Sequence, residues 1–397
     1  VKLTFAIQRY GEGIAGGAEA HCRSLCERLA RDHDVRVLTT CARDYVTWEN
    51  HFPPGESELS GVRVTRFVVR QPRHPKRFAE ASDRVFGPEP HADADEQAWA
   101  RENGPDAPAL VSAIAAERDA EALVFYSWRY AHCLAGLPRV KSRAVLVPTA
   151  EDEPAIDLAL AGRLFTQPAG FLFLTPEEQA LVERSAARFG GRSGAAAVIG
   201  GGVDIPTGHA TVDPRARFGL GEPYLLYLGR LDLNKGVDRL LEYHEWMGAD
   251  APLLVLCGHD ALGVPDHPRR RKLGFVAEEE KYALLREAAA LVMPSRYESL
   301  SLVVLEAFAL GRPVLADAAC APVRGLVERS GGGLTFDDGL GFDLCLRRLM
   351  ADAPLRERLG ARGRAFAARE CDWDAVARAA EGLIARVAAL GNAGRAV

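Results

Sequence analysis

The residues best equipped for chemistry are two acids and two cations in the second half of the chain. Glu298 and Glu306 stand with seven residues between them, Ser299-Leu300-Ser301-Leu302-Val303-Val304-Leu305, and Ala307-Phe308-Ala309-Leu310-Gly311 follows. Arg230 and Lys235 lie in the run Gly229-Arg230-Leu231-Asp232-Leu233-Asn234-Lys235-Gly236. An ionised carboxylate accepts hydrogen bonds from two vicinal hydroxyls, the pattern a ribose or hexose offers. A guanidinium binds oxygens bidentately and an ammonium adds a point charge, so the pair suits a diphosphate. Held in place beforehand, two such cations would neutralise charge growing on a departing phosphate. Each motif alone also has a plainer explanation. Arg230 and Lys235 could decorate a solvated turn, and Glu306 could pair with a neighbouring arginine, since an unpaired carboxylate amid Val304, Leu305, Ala307 and Phe308 would be costly.

The elements around these residues set where they would stand. Tyr224–Leu228 is a short apolar run that predicts a strand, and Val237–Met247 predicts the helix after it. Arg230 and Lys235 therefore fall at a strand's carboxyl edge, where open α/β sheets bind ligands. Leu291–Pro294 predicts another strand, with Glu298 in its loop and Leu302–Leu310 as the next helix. The first amides of that helix, from Ser299 through Val303, could face a phosphate or sugar oxygen. Leu253–Cys257, Leu273–Val276 and Pro313–Ala316 predict further strands, and Glu278–Ala289 a further helix. Beyond Asp337 the pattern is helical only.

The first half alternates in the same way. Strands are expected at Lys2–Gln8, Val35–Thr40, Val62–Val69, Leu123–Tyr126, Ala144–Pro148 and Gly170–Thr175, with a helix over Ala18–Arg31. The stretch 71–108 is rich in proline, histidine and charge, and is expected to leave the core. The cation cluster at its start, Arg70, Arg73, Lys76 and Arg77, could meet a phosphate-bearing acceptor or simply form a solvated face. The glycine- and proline-bearing stretch Gly200–Gly221 is expected to link two α/β domains.

Gly11, Gly13 and Gly16 fit a dinucleotide fingerprint between a strand and a helix, which opens a reading as an NAD(P)-dependent oxidoreductase. Three details weaken it. Arg9 and Tyr10 separate the strand from the first glycine, the second strand ends Thr39-Thr40-Cys41 without an acid for the ribose, and only Arg43 could suit a 2′-phosphate. The same glycines would let backbone approach any diphosphate, or form a mobile loop.

Composition narrows the field. The chain has 397 residues, 48% hydrophobic and 26% charged, with a formal net charge of −5. That length suits two domains, and the balance gives no field that recruits nucleic acid. No apolar run approaches the length of a bilayer helix, so the chain reads as cytoplasmic, with contact at the inner face of the membrane left open. The eight cysteines include no CxxC pair and no Cys/His cluster, so buried free thiols are expected and no metal site.

Taken together, Glu298 through Glu306 with its flanks, the Gly229–Gly236 run, the Gly200-Gly201-Gly202-Val203-Asp204 turn and Gly16-Gly17-Ala18-Glu19 resemble the signature of family-4 retaining glycosyltransferases of the GT-B fold. The resemblance covers most of the second half and, more loosely, both ends of the first. It implies two Rossmann-like α/β domains facing a cleft, with C-terminal helices crossing back to the first. The expected boundaries are 1–205 for the acceptor-side domain, 206–370 for the nucleotide-sugar domain and 371–397 for the returning helix.

It further implies a nucleoside-diphosphate sugar as donor, no cofactor or metal, and a small-molecule, lipid-linked or glycan hydroxyl as acceptor. Arg230 and Lys235 would grip the diphosphate. Glu306 would bind the ribose, while Glu298 and the backbone of Ser299, Leu300 and Ser301 would contact the transferred sugar. Leu302 and Val303 amides would meet the distal phosphate, Val276 would lie against the base, and Gly202 would line the donor site. Gly16 and Gly17 would cap the donor from the first domain. The sequence departs from the family where a histidine usually stands near the sugar. Thr149-Ala150-Glu151-Asp152-Glu153-Pro154 offers acids instead, so Glu151 and Asp152 are candidates there, with His132 and His21 as the nearby histidines. A non-catalytic sugar-nucleotide-binding protein on the same fold is the remaining alternative.

Overall fold

The computed structural model describes residues 1–14, 16–192, 194–206 and 211–393, with side chains described through 390. Ala15 of the glycine loop and 207–210 of the expected linker lie outside the described residues. The chain forms two compact units, 1–200 together with 373–397, and 201–372. The turn Gly201–Asp204 belongs to the second unit rather than the first, for a visible reason. The Val203 amide donates to the Cys371 carbonyl and the Tyr282 hydroxyl lies 3.0 Å from the Asp204 carbonyl.

The first unit is built on an eight-stranded sheet. Its strands are β1 (Lys2–Ala6), β2 (Asp34–Thr40), β3 (Gly55–Leu59), β4 (Val62–Phe67), β5 (Ala122–Tyr126), β6 (Ala144–Val147), β7 (Gly170–Phe173) and β8 (Ala195–Val198). Their spatial order is β3-β4-β2-β1-β5-β6-β7-β8, parallel throughout except for the β3–β4 hairpin at one edge. β1, β5, β6 and β7 carry almost unbroken apolar runs because both faces of a parallel sheet are covered. Helices α1 (Gly17–Leu29), α2 (Pro75–Phe86), α3 (Asp93–Asn103), α4 (Pro108–Ala116), α5 (Ala159–Leu164) and α6 (Pro176–Ala187) follow in chain order.

The second unit is a six-stranded parallel sheet. Its strands β9 (Tyr224–Leu228), β10 (Leu253–Cys257), β11 (Arg270–Gly274), β12 (Ala290–Met293), β13 (Val314–Asp317) and β14 (Gly333–Phe336) lie in the order β11-β10-β9-β12-β13-β14. Its helices are α7 (Pro214–Phe218), α8 (Val237–Trp246), α9 (Glu278–Glu287), α10 (Leu302–Ala309), α11 (Ala321–Ser330), α12 (Gly339–Ala351) and α13 (Ala353–Glu370). The chain then returns to the first unit as α14 (Trp373–Ala393), which packs on α1 and on β5, β7 and β8. Among the described residues no helix is long and apolar enough to cross a membrane.

Several sequence expectations need correction. The stretch 71–108 does not leave the core: α2 and α3 fill it, and Val85 and fully buried Trp99 join the core of the first unit. Its charges are spent locally. Arg70 pairs with Asp106, Lys76 with Glu80 and Arg77 with Glu102, while Arg73 lies over the Trp48 and Phe78 rings and donates to the Asn103 carbonyl. β11 begins at Arg270 and not at Leu273. As an edge strand it tolerates charge, and buried Arg270 pairs with Glu245 and donates to the Leu241 carbonyl. Part of the expected linker, Pro214–Phe218, is the short helix α7, capped by the Asp213 carboxylate. All eight cysteines are free and seven are buried.

Candidate functional site

In the second unit, β9 and β12 are neighbouring parallel strands, so the loops after them emerge side by side. Two glycines permit the crowding there. Gly236 has φ 65°, and a Cβ on it would stand 2.0 Å from the Pro294 carbonyl oxygen. Gly258, after β10, would collide in the same way with the Gly229 carbonyl. No other residue fits two backbones this close.

Three of the polar residues expected from sequence, Arg230, Lys235 and Glu298, form one contiguous array with Asp232. Lys235 Nζ lies 2.8 Å from Glu298 Oε1 and donates to the Tyr297 carbonyl at 3.2 Å. The Lys235 amide donates to Asp232 Oδ1, and the other oxygen of Asp232 pairs with Arg230 Nη2 at 3.1 Å. Glu298 is mostly buried and Arg230 is 40% exposed, so the cationic edge faces solvent while the acid sits beneath it. Asp232 was not singled out from the sequence; its position three residues before Lys235, as a turn acid, was the available signal.

Glu306 rides on α10, one helix turn beyond the loop of Glu298. Its Oε1 meets Lys281 Nζ at 2.8 Å and the Tyr282 hydroxyl at 3.1 Å, both from α9. The neighbouring arginine weighed from sequence is thus a lysine. Glu306 Oε2 is buried and has no hydrogen-bond partner among the described residues. An orphaned carboxylate oxygen of this kind is costly unless a ligand completes it. Tyr282 also reaches the Asp204 carbonyl, which ties the turn containing Gly202 to the same acid.

The start of α10 points the same way. Ser301 adopts φ 88°, ψ 91°, a conformation that side-chain-bearing residues rarely take. Its hydroxyl is buried without a partner among the described residues, and no side chain caps the helix. Leu302 and Val303 are half-buried and open the helix, where first-turn amides have no acceptor within the helix and suit an anion. Ser299 is half-buried and Leu300 buried. Val276 lies two residues past β11, beyond Gly274 with its φ of 68°, and next to Phe275, which is 84% exposed. Leu231, Gly258, His259, Lys272 and Gly274 line a cavity of about 350 Å³ with that phenylalanine.

In the first unit the glycine loop is held by a buried ion pair. Arg9 and Glu19 are both nearly inaccessible; Arg9 Nε donates to Glu19 Oε1 at 3.0 Å, and Gln8 Nε2 donates to the same oxygen at 2.8 Å. A Cβ on Gly16 would stand 2.0 Å from Glu19 Oε2, so Gly16 is the residue that lets Glu19 fold back. Gly16 and Gly17 are exposed at the start of α1. The Thr40 hydroxyl donates to the Gln8 carbonyl, which fills the place where a dinucleotide fold carries its ribose acid.

The acids at 151–153 separate on inspection. Asp152 pairs with Arg184 on the surface, and Glu153 pairs with Arg129 at 2.6 Å. Glu151 is half-buried next to a strained turn: Thr149 has φ 48° and Ser127, at the end of β5, φ 64°. Their hydroxyls meet at 3.1 Å. Glu178 holds this turn, accepting the Ala150 amide at 2.7 Å and the Leu174 amide at 2.6 Å. Burial pushes its carboxyl up to about 8. From sequence Thr175 and Glu178 look like an ordinary capping pair, which hides this second use.

Neither histidine serves a solvent-facing site. His21 lies between the Tyr126 hydroxyl and the Gly200 carbonyl, and His132 Nε2 donates to the Tyr126 carbonyl. Burial lowers both to about 4. A base depressed on folding contributes stability above its unfolded value, about 6.5, and loses it as pH falls through the folded value. The melting temperature is therefore expected to drop between pH 6.5 and 4. His132→Gln should flatten that slope, and an unchanged slope would show that the ring is charged in the fold.

With this geometry in place, the comparisons give it a class. The architecture is that of the GT-B glycosyltransferases: the structure of sucrose-phosphate synthase from Thermosynechococcus elongatus matches with a TM-score of 0.70 at 19% identity, covering 98% of this chain and 99% of that one. Anabaena HepE in complex with UDP and glucose matches with a TM-score of 0.66 at 16% identity, over 97% and 99%. Residues 212–366, which lie within the second unit, match the family model Glycosyl transferases group 1. D-inositol 3-phosphate glycosyltransferase of Xylanimonas cellulosilytica is 34% identical over 206 residues, 46% of this chain. The match spans about half of that relative's length, 49%.

Proposed function

We propose that the chain is a retaining, metal-independent glycosyltransferase that moves a sugar from a nucleoside-diphosphate sugar to an acceptor hydroxyl. The observation that carries this reading is the array in the second unit. Arg230, Asp232, Lys235 and Glu298 interlock at the sheet's carboxyl edge, while Glu306 keeps one buried oxygen without a partner among the described residues.

Each residue has a task that its geometry suits. Lys235, which rests on Glu298, exchanges part of that contact for the donor diphosphate, and Arg230 adds a bidentate grip. Leu302 and Val303 amides at the open start of α10 receive the distal phosphate. Glu298 and the backbone of Ser299, Leu300 and Ser301 hold the sugar. Glu306 binds the ribose, Gly202 lines the donor site and Val276 lies against the base. The acceptor oxygen bonds to the anomeric carbon as the carbon–oxygen bond to the diphosphate breaks, on the same face. The acceptor's proton passes to the departing phosphate oxygen. Charge that grows there meets cations already fixed in position, which is where such groups lower a barrier most.

The test is a screen of UDP-, GDP-, ADP- and TDP-sugars, with NADP as a comparison ligand, read by mass-detected hydrolysis and by NMR of the anomeric proton. One nucleotide-sugar class is expected to turn over with retention, at an unchanged rate in EDTA. Inverted product, or turnover that EDTA abolishes, would overturn the stated mechanism; binding of NADP alone would overturn the reading.

A further inference from the structure

Arg73 is a half-buried cation of the first unit that the proposed reaction does not use. Arg70, Lys76 and Arg77 each pair with a carboxylate, but Arg73 reaches none among the described residues. Its guanidinium lies 5.3 Å from the centre of the Trp48 ring and 4.5 Å from that of Phe78. Nε donates to the Asn103 carbonyl at 3.1 Å and Nη2 to Asn103 Oδ1 at 2.9 Å. Nη1 keeps its two N–H donors without an acceptor among the described residues. Burial, with the like charge of Arg129 added, lowers Arg73 to about 10, so it stays charged at neutral pH. A cation held away from water on rings and neutral carbonyls is costly unless an anion completes it.

Two further donors stand beside it. Asn103 Nδ2 donates to the Arg129 carbonyl at 3.0 Å, and the Tyr130 ring meets Trp48 edge-on at 5.3 Å. Asn103 and Trp48 thus tie Arg73 to the Arg129–Tyr130 segment. Glu153 fixes Arg129 through Nη1 at 2.6 Å, and Glu151 adds a second negative charge nearby. Arg129 Nη2 is left without an acceptor among the described residues, and the Tyr130 hydroxyl has no partner there either. Burial raises that hydroxyl against the pull of Arg129, Arg9 and Arg73, so it remains a neutral O–H donor. Trp48, Arg73 and Tyr130 come from the connections that leave the carboxyl ends of β2, β4 and β5. Open α/β sheets take their ligands at that edge.

We infer that Arg73, Arg129 and Tyr130 form an anion site in the first unit, and that it takes a phosphate monoester carried by the acceptor. Two open guanidinium edges and a phenol offer more donors than the two oxygens of one carboxylate would use. A phosphate monoester brings three acceptor oxygens and enough charge to answer both arginines. The anion site rests on this geometry alone, and its assignment to the acceptor rests on the transfer reaction proposed above.

Calorimetry at fixed ionic strength tests the site with glucose 6-phosphate, inorganic phosphate, glucuronate and glucose. The proteins are wild type, Arg73→Met, Arg129→Met, Tyr130→Phe and Arg230→Ala. Wild type should bind glucose 6-phosphate at least about tenfold more tightly than glucuronate or glucose, and inorganic phosphate should displace it. Each variant at Arg73 or Arg129 should lose at least about tenfold, and Tyr130→Phe about three- to tenfold. Tyr130→Phe keeps the ring on Trp48 and removes only the O–H, so it decides the matter if an arginine variant fails to fold. Unchanged affinity in all three would overturn the inference. So would binding lost in Arg230→Ala and kept in Arg73→Met, which would place the phosphate in the second unit. A preference for glucuronate would overturn the phosphate class. No binding of glucose 6-phosphate to a wild type that binds nucleoside diphosphates would overturn the inference and leave the donor reading standing. In transfer assays, sugar phosphates should be better acceptors than the unphosphorylated sugars, and Arg73→Met should erase that preference. A bound phosphate with no such preference in the wild type would overturn the acceptor assignment.

Discussion

Lys235→Ala is expected to lower kcat for sugar transfer by about a hundred- to a thousandfold, the effect of deleting one preorganised group that faces developing charge. The reason lies in where the ammonium is held. It sits 2.8 Å from Glu298 and 3.2 Å from the Tyr297 carbonyl, at the mouth of β9 and β12. A lysine so placed is already in position when the diphosphate begins to leave, so its loss falls on the transition state more than on the bound donor. Steady-state kinetics separate the two effects: kcat should fall by more than KM rises. The pair is mostly buried, so the variant leaves the Glu298 carboxylate without its lysine and some loss of stability is also expected. Circular dichroism melting of the variant checks that point. A Lys235→Ala enzyme with near-wild-type kcat would remove the lysine from the chemistry.

Glu306→Ala is expected to act differently. Its free Oε2 is assigned to the donor ribose, a part of the substrate that does not change during transfer, so the loss should appear as weaker donor binding. One hydrogen bond to a charged group disappears, worth about 1.5–3 kcal/mol. Donor KM should therefore rise by about ten- to a hundredfold, with a smaller change in kcat. The variant also leaves Lys281 and the Tyr282 hydroxyl without their shared acceptor. Glu306→Gln keeps an oxygen and should lie between wild type and alanine. Unaltered donor KM in both variants would show that Glu306 is a structural partner of Lys281 and nothing more.

How much of this could be read from the sequence differs between the units for physical reasons. β9 and β10 are legible residue by residue, because Tyr224–Leu228 and Leu253–Cys257 are apolar throughout and buried on both faces. β11 is misplaced from sequence because an edge strand need not be apolar: Arg270, Arg271 and Lys272 mask it, and the apolar residues Phe275 and Val276 lie past its end. β8 is hidden in Ala195–Val198, where small side chains give no periodic signal. The stretch 71–108 looks extruded because its arginines count as surface charge. Arg73 shows why that fails, since its guanidinium lies on aromatic rings and satisfies the Asn103 carbonyl.

At the candidate site the residue types were legible and the pairings were not. Glu298 and Lys235 are 63 positions apart, and only the adjacency of β9 and β12 makes them neighbours. Lys281 was invisible because it sits in the charged run Glu278-Glu279-Glu280-Lys281, which resembles an ordinary solvated first turn. Ser127 and Thr149 carry no sequence mark of their backbone strain, which arises from the ends of β5 and β6.

The most direct measurement compares the affinities of a nucleoside, its monophosphate and its diphosphate for wild type and for Arg230→Ala combined with Lys235→Ala, by calorimetry. Wild type should gain at least about a hundredfold on addition of the second phosphate, as two charge-assisted contacts would give, and the double variant should gain almost nothing. Equal gains in the two proteins would mean that these cations do not hold the diphosphate.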